Sequence, residues 1–203
     1  MAETQEAFYN LAPLLVDAEV DGDGRIEFSD RRFVFFHSHM FAELFEKMED
    51  VAGPVINQQI KKFGYEAGQN IGEKMDESFK DTSLMEILKL LFQSGFDLSS
   101  LGELSDTDDK SQILKIAGYA KHVGWLGDLE FEEYDDGVRS VIVYENSFEA
   151  YSHGETGEKE CIFLRHVMRG IFEYYWNQEL TVEETRCISE GSDNCRVVIE
   201  SED

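Results

Sequence analysis

Apolar residues fall at helical spacing through the first two thirds of the chain and at alternate positions through much of the last third, a change of period that separates helices from strands. Residues 4–16 read as a short amphipathic helix, followed by an Asp/Gly turn at 21–24 and a strand at 25–28. An apolar stretch from Phe33 leads into a helix bearing Met40, Phe41, Leu44, Phe45 and Met48. After Gly53-Pro54, the stripe Ile56, Ile60, Phe63, Ala67, Ile71 and Met75 keeps helical spacing for about five turns. Gly64, Gly68 and Gly72 recur one turn apart on that helix. Each costs about 1 kcal/mol relative to alanine in a helix interior, so their repetition predicts a groove that another helix enters closely. They lie inside the helix and not at its start, which favours packing over a phosphate cradle. Further helices are expected at 84–92 and 110–122, on either side of a polar stretch at 99–109.

From Trp125 the period shortens to two. Leu129 and Phe131 alternate with acids, Asp135-Asp136-Gly137 supplies a turn, and residues 138–146 return as a strand. A two-residue loop at Asp136 and Gly137 would set Phe131 opposite Ile142 and Leu129 opposite Tyr144, giving the hairpin one apolar side. Residues 161–176 read as a helix with Leu164, Met168, Phe172 and Tyr175 along one side, and strands at 182–189 and 194–200 flank Glu190-Gly191-Ser192-Asp193. The expected class is α+β, with helices packed on an antiparallel sheet. No Ser/Gly-rich tract marks a linker, so an N-terminal helix and turn over 1–23 are expected to precede a single domain over 24–203.

The chain carries 43 acidic and 18 basic residues, a formal net charge of -25, with 42% of residues hydrophobic. That charge repels phosphate backbones and anionic headgroups, which argues against direct nucleic-acid or membrane-surface binding. No apolar run is long enough to span a bilayer, and the first residues lack a signal-peptide pattern. A cytoplasmic protein is expected. The acidity fits a high-salt cytoplasm, although lysine is not depleted relative to arginine. Three cysteines in a reducing compartment speak against a disulfide framework and for metal binding or inert core thiols.

All three cysteines fall in the closing section, with a carboxylate among them: Cys161, Glu184, Cys187, Cys195. A hairpin centred on Gly191 sets Cys187 opposite Cys195, with Cβ atoms about 4.5–5.5 Å apart. Two thiolates so placed can share a zinc ion at about 2.3 Å each. Cys161, at the start of a helix, gains from the helix dipole as a thiolate, and Glu184 offers a fourth, oxygen ligand. Glu184 and Cys187 are three residues apart, which on an ideal strand aims them at opposite faces. A bulge, or Glu184 reaching around the start of the strand, would be needed. Spacing alone leaves two other readings open: three core thiols and a cross-strand disulfide. His166, one turn after Cys161, reads as surface or packing. The segment from Glu19 to Asp30 is similar to a calcium-binding EF-hand loop, but Glu opens it, Asp closes it and its exit reads as strand; a solvated acidic turn is the preferred reading.

The stretches Gly24-Arg25-Ile26 with Arg31-Arg32-Phe33-Val34, Phe63-Gly64-Tyr65-Glu66-Ala67-Gly68 and Asn146-Ser147-Phe148-Glu149-Ala150 belong together with Cys161, Gly170, Glu184-x-x-Cys187, Gly191 and Cys195. With these the chain resembles the 4-vinyl reductase domain family over residues 23–200. That fold is shared with the TRAPP vesicle-tethering subunits and with the sensor domains of aromatic-responsive transcription activators. The resemblance implies the ligand-binding fold of the NO-signalling/Golgi-transport type, with a C-terminal zinc hairpin. It implies structural Zn2+ held by Cys161, Glu184, Cys187 and Cys195 beside a pocket for a small hydrophobic ligand, in a homodimer. It also makes His122 and Tyr144 candidates for binding a ligand hydroxyl, since each can donate or accept one hydrogen bond in an apolar cavity. Tyr144 stands where the phenol sensors have Trp; Trp125, Phe172 and Tyr175 are the candidate walls. The plainer alternative for His122 and Tyr144 is a satisfied core residue.

No nucleotide-binding glycine turn after a strand and no Ser/His/Asp set is present, and four protein ligands would close a metal site to substrate. The expected function is therefore a non-catalytic, zinc-stabilised sensor module that binds a small hydrophobic or aromatic molecule. With no ATPase or DNA-binding segment attached, it is expected to signal through a regulatory protein partner. The competing expectations are an adaptor or assembly subunit of the TRAPP type and an accessory protein in tetrapyrrole vinyl reduction.

Overall fold

In a computed structural model the described residues are 19–20, 26–28, 31–33, 38–81, 108–122 and 124–201. The helices expected at 4–16 and 84–92 and the turn at 21–24 lie outside them. The chain falls into two compact units, Met1–His37 and Ser38–Asp203. The first contains β1 (Glu19–Val20), β2 (Ile26–Phe28) and β3 (Arg31–Phe33), an antiparallel sheet in that order with Val20 opposite Ile26 and Phe28 opposite Arg31. Strands thus flank the acidic loop on both sides, where an EF-hand needs helices.

The second unit opens with α1 (Ser38–Ala52) and α2 (Val55–Asp81). Gly53, at φ +62°, ends α1 by donating its N–H to the Glu49 carbonyl, and Pro54 prevents the helix from running on. Then come α3 (Asp109–His122), β4 (Leu129–Asp135), β5 (Arg139–Tyr144), α4 (Phe148–His153), α5 (Ile162–Trp176), β6 (Leu180–Arg186) and β7 (Cys195–Ser201). The four long strands form one antiparallel sheet in the order β4-β5-β7-β6, so the protein is α+β as the pattern predicts. The core lies between one face of this sheet and α5, where Ile142, Tyr144, Val197, Ile199 and Leu180 meet Leu164, Met168 and Phe172.

The expected close approach of helices is that of α5 onto α2. A Cβ added to Gly64 would stand 2.6 Å from the Phe163 carbonyl oxygen, and one added to Gly68 would be closer still to that of Val167. Gly170 answers from the other helix, facing the Tyr65 carbonyl, and Gln69 Nε2 donates to the Gly170 carbonyl at 2.9 Å. Backbone meets backbone here, so the helices pack closer than side chains would allow.

The β4–β5 hairpin reaches the expected register by another route. Leu129 does pair with Tyr144 and Phe131 with Ile142, but the turn takes three residues, 136–138, and a bulge between Phe131 and Glu133 absorbs the extra one. The bulge also turns Phe131 and Tyr134, three apart, toward the same core, leaving Glu130, Glu132, Glu133 and Asp135 in solvent. Arg196 donates to Glu132 at 2.8 Å across this outer face. An edge strand so charged resists pairing with another chain.

Candidate functional site

The sheet and α5 converge on the four residues singled out by spacing. Between β6 and β7 the pairing runs from Leu180 with Ser201 to Glu184 with Val197, then shifts by one so that Arg186 faces Arg196. The shift is a bulge at Thr185. It sets Cys187 opposite Cys195 at the next position and, because Val197 and Cys195 share a face, turns Glu184 to the same side as both cysteines. The conflict of a three-residue spacing is resolved by this extra residue. Beyond Cys187 a single 3-10 turn, Ile188–Glu190, and Gly191 at φ +94° close the hairpin.

Cys161 comes from the other direction, as the N-cap of α5, but its sulfur makes no capping hydrogen bond. Glu149 of α4 does that work instead. Its carboxylate accepts the Phe163 N–H at 2.9 Å and the Leu164 N–H at 2.8 Å, satisfying two of the donors that a helix start leaves open. The sulfur of Cys161 is thereby free to face the hairpin. Burial raises the Glu149 carboxyl to about 8 against the pull of these two donors. Glu149→Ala would leave both N–H groups buried without an acceptor, an expected cost of about 3 kcal/mol, readable as a lower midpoint in urea with unchanged slope.

The three sulfurs stand 3.7 Å (Cys161–Cys187), 3.8 Å (Cys161–Cys195) and 3.6 Å (Cys187–Cys195) apart. A tetrahedral ion with bonds of about 2.3 Å to sulfur requires edges of about 3.8 Å. One carboxylate oxygen of Glu184 completes the set, all four ligand atoms lying within 4.8 Å of one another. All four residues are buried, the cysteines at 0% exposure, and no cysteine is in a disulfide. Neither Glu184 oxygen has a hydrogen-bond partner; the nearest cation is Arg165, whose Nη1 lies 3.6 Å away. A buried carboxylate without donors is expensive unless a cation faces it, so this donor set fits a metal ion. Around the sulfurs, Ser147 Oγ lies 3.2 Å from Cys161, Ser189 Oγ 3.0 Å from Cys187, and the Ile188 N–H donates to Cys195 at 3.4 Å.

Without an ion the protons are shared unevenly. Hydrogen bonds from Cys161 and Cys195 hold Cys187 far below the usual thiol range, and Cys161 is pushed far up by donating to Cys187 and Cys195. Cys195 rises to about 12, the lowering by Cys161 being outweighed by Cys187 and burial, and burial lifts Glu184 to about 8. A metal ion must displace the protons of Cys161, Cys195 and Glu184.

Beside this cluster lies an apolar cavity of about 70 Å³ between the sheet, α3 and α5. Trp125 and Phe172 line it as expected, together with Ala117, Leu129, Ile142 and Leu164. Tyr144 and Tyr175 are not among its lining side chains. Tyr144 is fully buried, with Cys161, Cys195 and Glu184 as the charged neighbours of its hydroxyl, and Tyr175 packs edge-on to Tyr174. His122 ends α3, two residues after the lining residue Ala120; its side chain lies outside the described residues. His166 is held by the Ile162 carbonyl at 2.7 Å and takes no part in the cluster. Sequence reasoning missed Ser147, Glu149, Arg165 and Ser189. Ser147 and Glu149 lie in a quoted motif, and Arg165 stands one turn from Cys161.

Residues 140–201 match the family model of the 4-vinyl reductase domain, a segment that includes all four members of the cluster. Among solved structures the chain is similar to the phenol-responsive sensory domain of the transcription activator PoxR with phenol. There the identity is 15%, over 95% of this chain and 88% of that one, with a TM-score of 0.66. Weaker likenesses are to a trafficking protein particle complex subunit 3 from Naegleria fowleri covalently bound to palmitic acid (14% identity, 82% and 95% covered, TM-score 0.43) and to a vinyl-4-reductase family protein from Methanocaldococcus jannaschii (20%, 68% and 92%, 0.38). Among curated proteins no sequence matches the chain.

Proposed function

We propose that this chain, which carries a 4-vinyl reductase domain, is a non-catalytic sensor module in which structural Zn2+ on Cys161, Glu184, Cys187 and Cys195 braces a pocket for a small hydrophobic molecule. The reading is carried by α5, which serves both sites: its N-cap is a ligand of the metal, and Leu164, Val167, Met168, Ile171 and Phe172 line the cavity. Three thiolates and one carboxylate suit zinc, and four protein ligands leave no open position for catalysis. The sensory-domain likeness adds the precedent of an aromatic ligand in the same fold. Free thiolates place the protein in a reducing compartment such as the cytoplasm. No described helix is long and apolar enough to cross a membrane. We take the output to pass through a homodimer to a regulatory protein partner. Met40, Leu44, Val51 and Val55, exposed along α1 and the start of α2, offer a surface for such contacts.

An empty cavity of about 150 Å³ accepts benzene, so the present volume of about 70 Å³ must roughly double for a ring to enter. That small volume supports a second reading, an adaptor of the TRAPP type whose cavity is filled by its own side chains. It also counts against a tetrapyrrole as direct guest. A thermal-shift panel of phenols, alkylbenzenes and fatty acids, with native mass spectrometry, separates the two. The sensor reading expects at least one compound to raise Tm, and Ala117→Leu, which fills the cavity, to abolish that shift while leaving zinc content unchanged. A flat response across the panel would favour the adaptor.

A further inference from the structure

We infer that Tyr144 is a positioning residue of the metal centre, its hydroxyl donating a hydrogen bond to the Cys161 sulfur when that sulfur binds the ion as a thiolate. The inference rests on the metal reading above and extends it beyond the four ligands.

Tyr144 pairs directly with Cys195 in the β5–β7 ladder, so its side chain leaves the sheet on the face that carries the cluster. It is fully buried, and its hydroxyl has no hydrogen-bond partner. The hydroxyl is directed at Cys161, with Cys195 and Glu184 its other charged neighbours. The cavity does not use it, since Tyr144 does not line that space. A phenylalanine would fill the same volume without burying an orphan donor, so the hydroxyl needs an acceptor that the metal-free arrangement does not supply. A thiol that shares its proton with two neighbouring sulfurs is a weak acceptor; a metal-bound thiolate is a strong one.

Charge balance points the same way. Three thiolates and a carboxylate around a dication leave two negative charges in a space closed to water. Arg165 beside Glu184 offsets one. The rest falls to hydrogen bonds on sulfur. Ser147 receives the Ala150 N–H at 3.3 Å, which leaves its own proton for Cys161. Ser189 directs its single proton at the Glu158 carbonyl, 2.8 Å away, and so serves Cys187 less well. Tyr144 adds a second O–H to Cys161, the ligand that anchors α5. Such outer partners fix ligand orientation and tune metal affinity.

The test is Tyr144→Phe in the full chain, loaded with zinc in competition with a chromophoric chelator and, separately, with cobalt(II). The expected result is a fall in zinc affinity of about 10–100-fold and a move of the thiolate-to-cobalt charge-transfer band to lower energy. The metal-free variant should be at least as stable as the metal-free wild type. A ring that acted only by packing would move neither the affinity nor the band. Wild type and variant with equal affinity and superimposable cobalt spectra would overturn this inference alone. A wild-type chain that takes up neither metal would overturn the metal reading and this inference with it.

Discussion

Replacing Cys195 with serine is expected to reduce zinc from about one ion per chain to a small fraction and to lower stability by about 4 kcal/mol. The magnitude follows from what the ion joins. It ties the N-cap of α5 to a hairpin on the far edge of the sheet, and without it the Glu184 carboxylate is buried with no donor. Breaking a buried charge pairing typically costs about 3–5 kcal/mol. For a chain of this size about 2–4 °C is lost per kcal/mol, so Tm should fall by roughly 8–16 °C. The more discriminating result is the double variant Cys187→Ser with Cys195→Ser. Residues that act as one unit are not additive, so the second substitution should cost little once the site is empty. Costs that add in full, with zinc absent from the wild type, would return the three thiols to the status of core residues.

The second large effect is expected at a position with no chemistry. Gly68→Ala gains about 1 kcal/mol of helix propensity, yet its Cβ would strike the Val167 backbone carbonyl, which cannot turn away. The two helices must separate, and a net loss of about 2 kcal/mol or more is expected from overpacking. Gly72→Ala is the control: the atoms it meets belong to the Tyr174 side chain, the nearest at 2.8 Å, and a side chain can rotate. Urea titrations should therefore show Gly68→Ala strongly destabilised and Gly72→Ala near wild type. Equal behaviour of the two would mean that the glycines do not set the distance between α2 and α5.

Much of this was legible in the sequence because it depends on local period. The stripe from Ile56 to Ile71 gives α2, and the glycines on it announce a close neighbour, although not that the neighbour is α5. The register of Phe131 and Leu129 was legible as well, but for an incomplete reason: a two-residue loop and a three-residue loop with a bulge produce the same pairs, and periodicity cannot tell them apart. At the cluster, the numbers of Cys187 and Cys195 determine their pairing. The position of Glu184 depends on an extra residue at Thr185, for which the local sequence has no distinctive signal. What stayed hidden is contact between distant segments. Glu149 reaches α5 across the chain, and Tyr144 turns toward the sulfurs and away from the cavity, because strand order places β5 beside β7.

The fusion of α5 to α2 has a mechanical consequence for the cavity. Its α5 wall is pinned at one end by the cysteine hairpin and seated along its length on glycine backbone, and its floor is a hydrogen-bonded sheet. Neither can yield without breaking many contacts at once. The space a guest requires must therefore be taken from the side of α3, where only Ile113, Ile116, Ala117 and Ala120 face inward. The pocket works as a vice with one fixed jaw, and displacement of the other jaw is what a second protein would be able to feel.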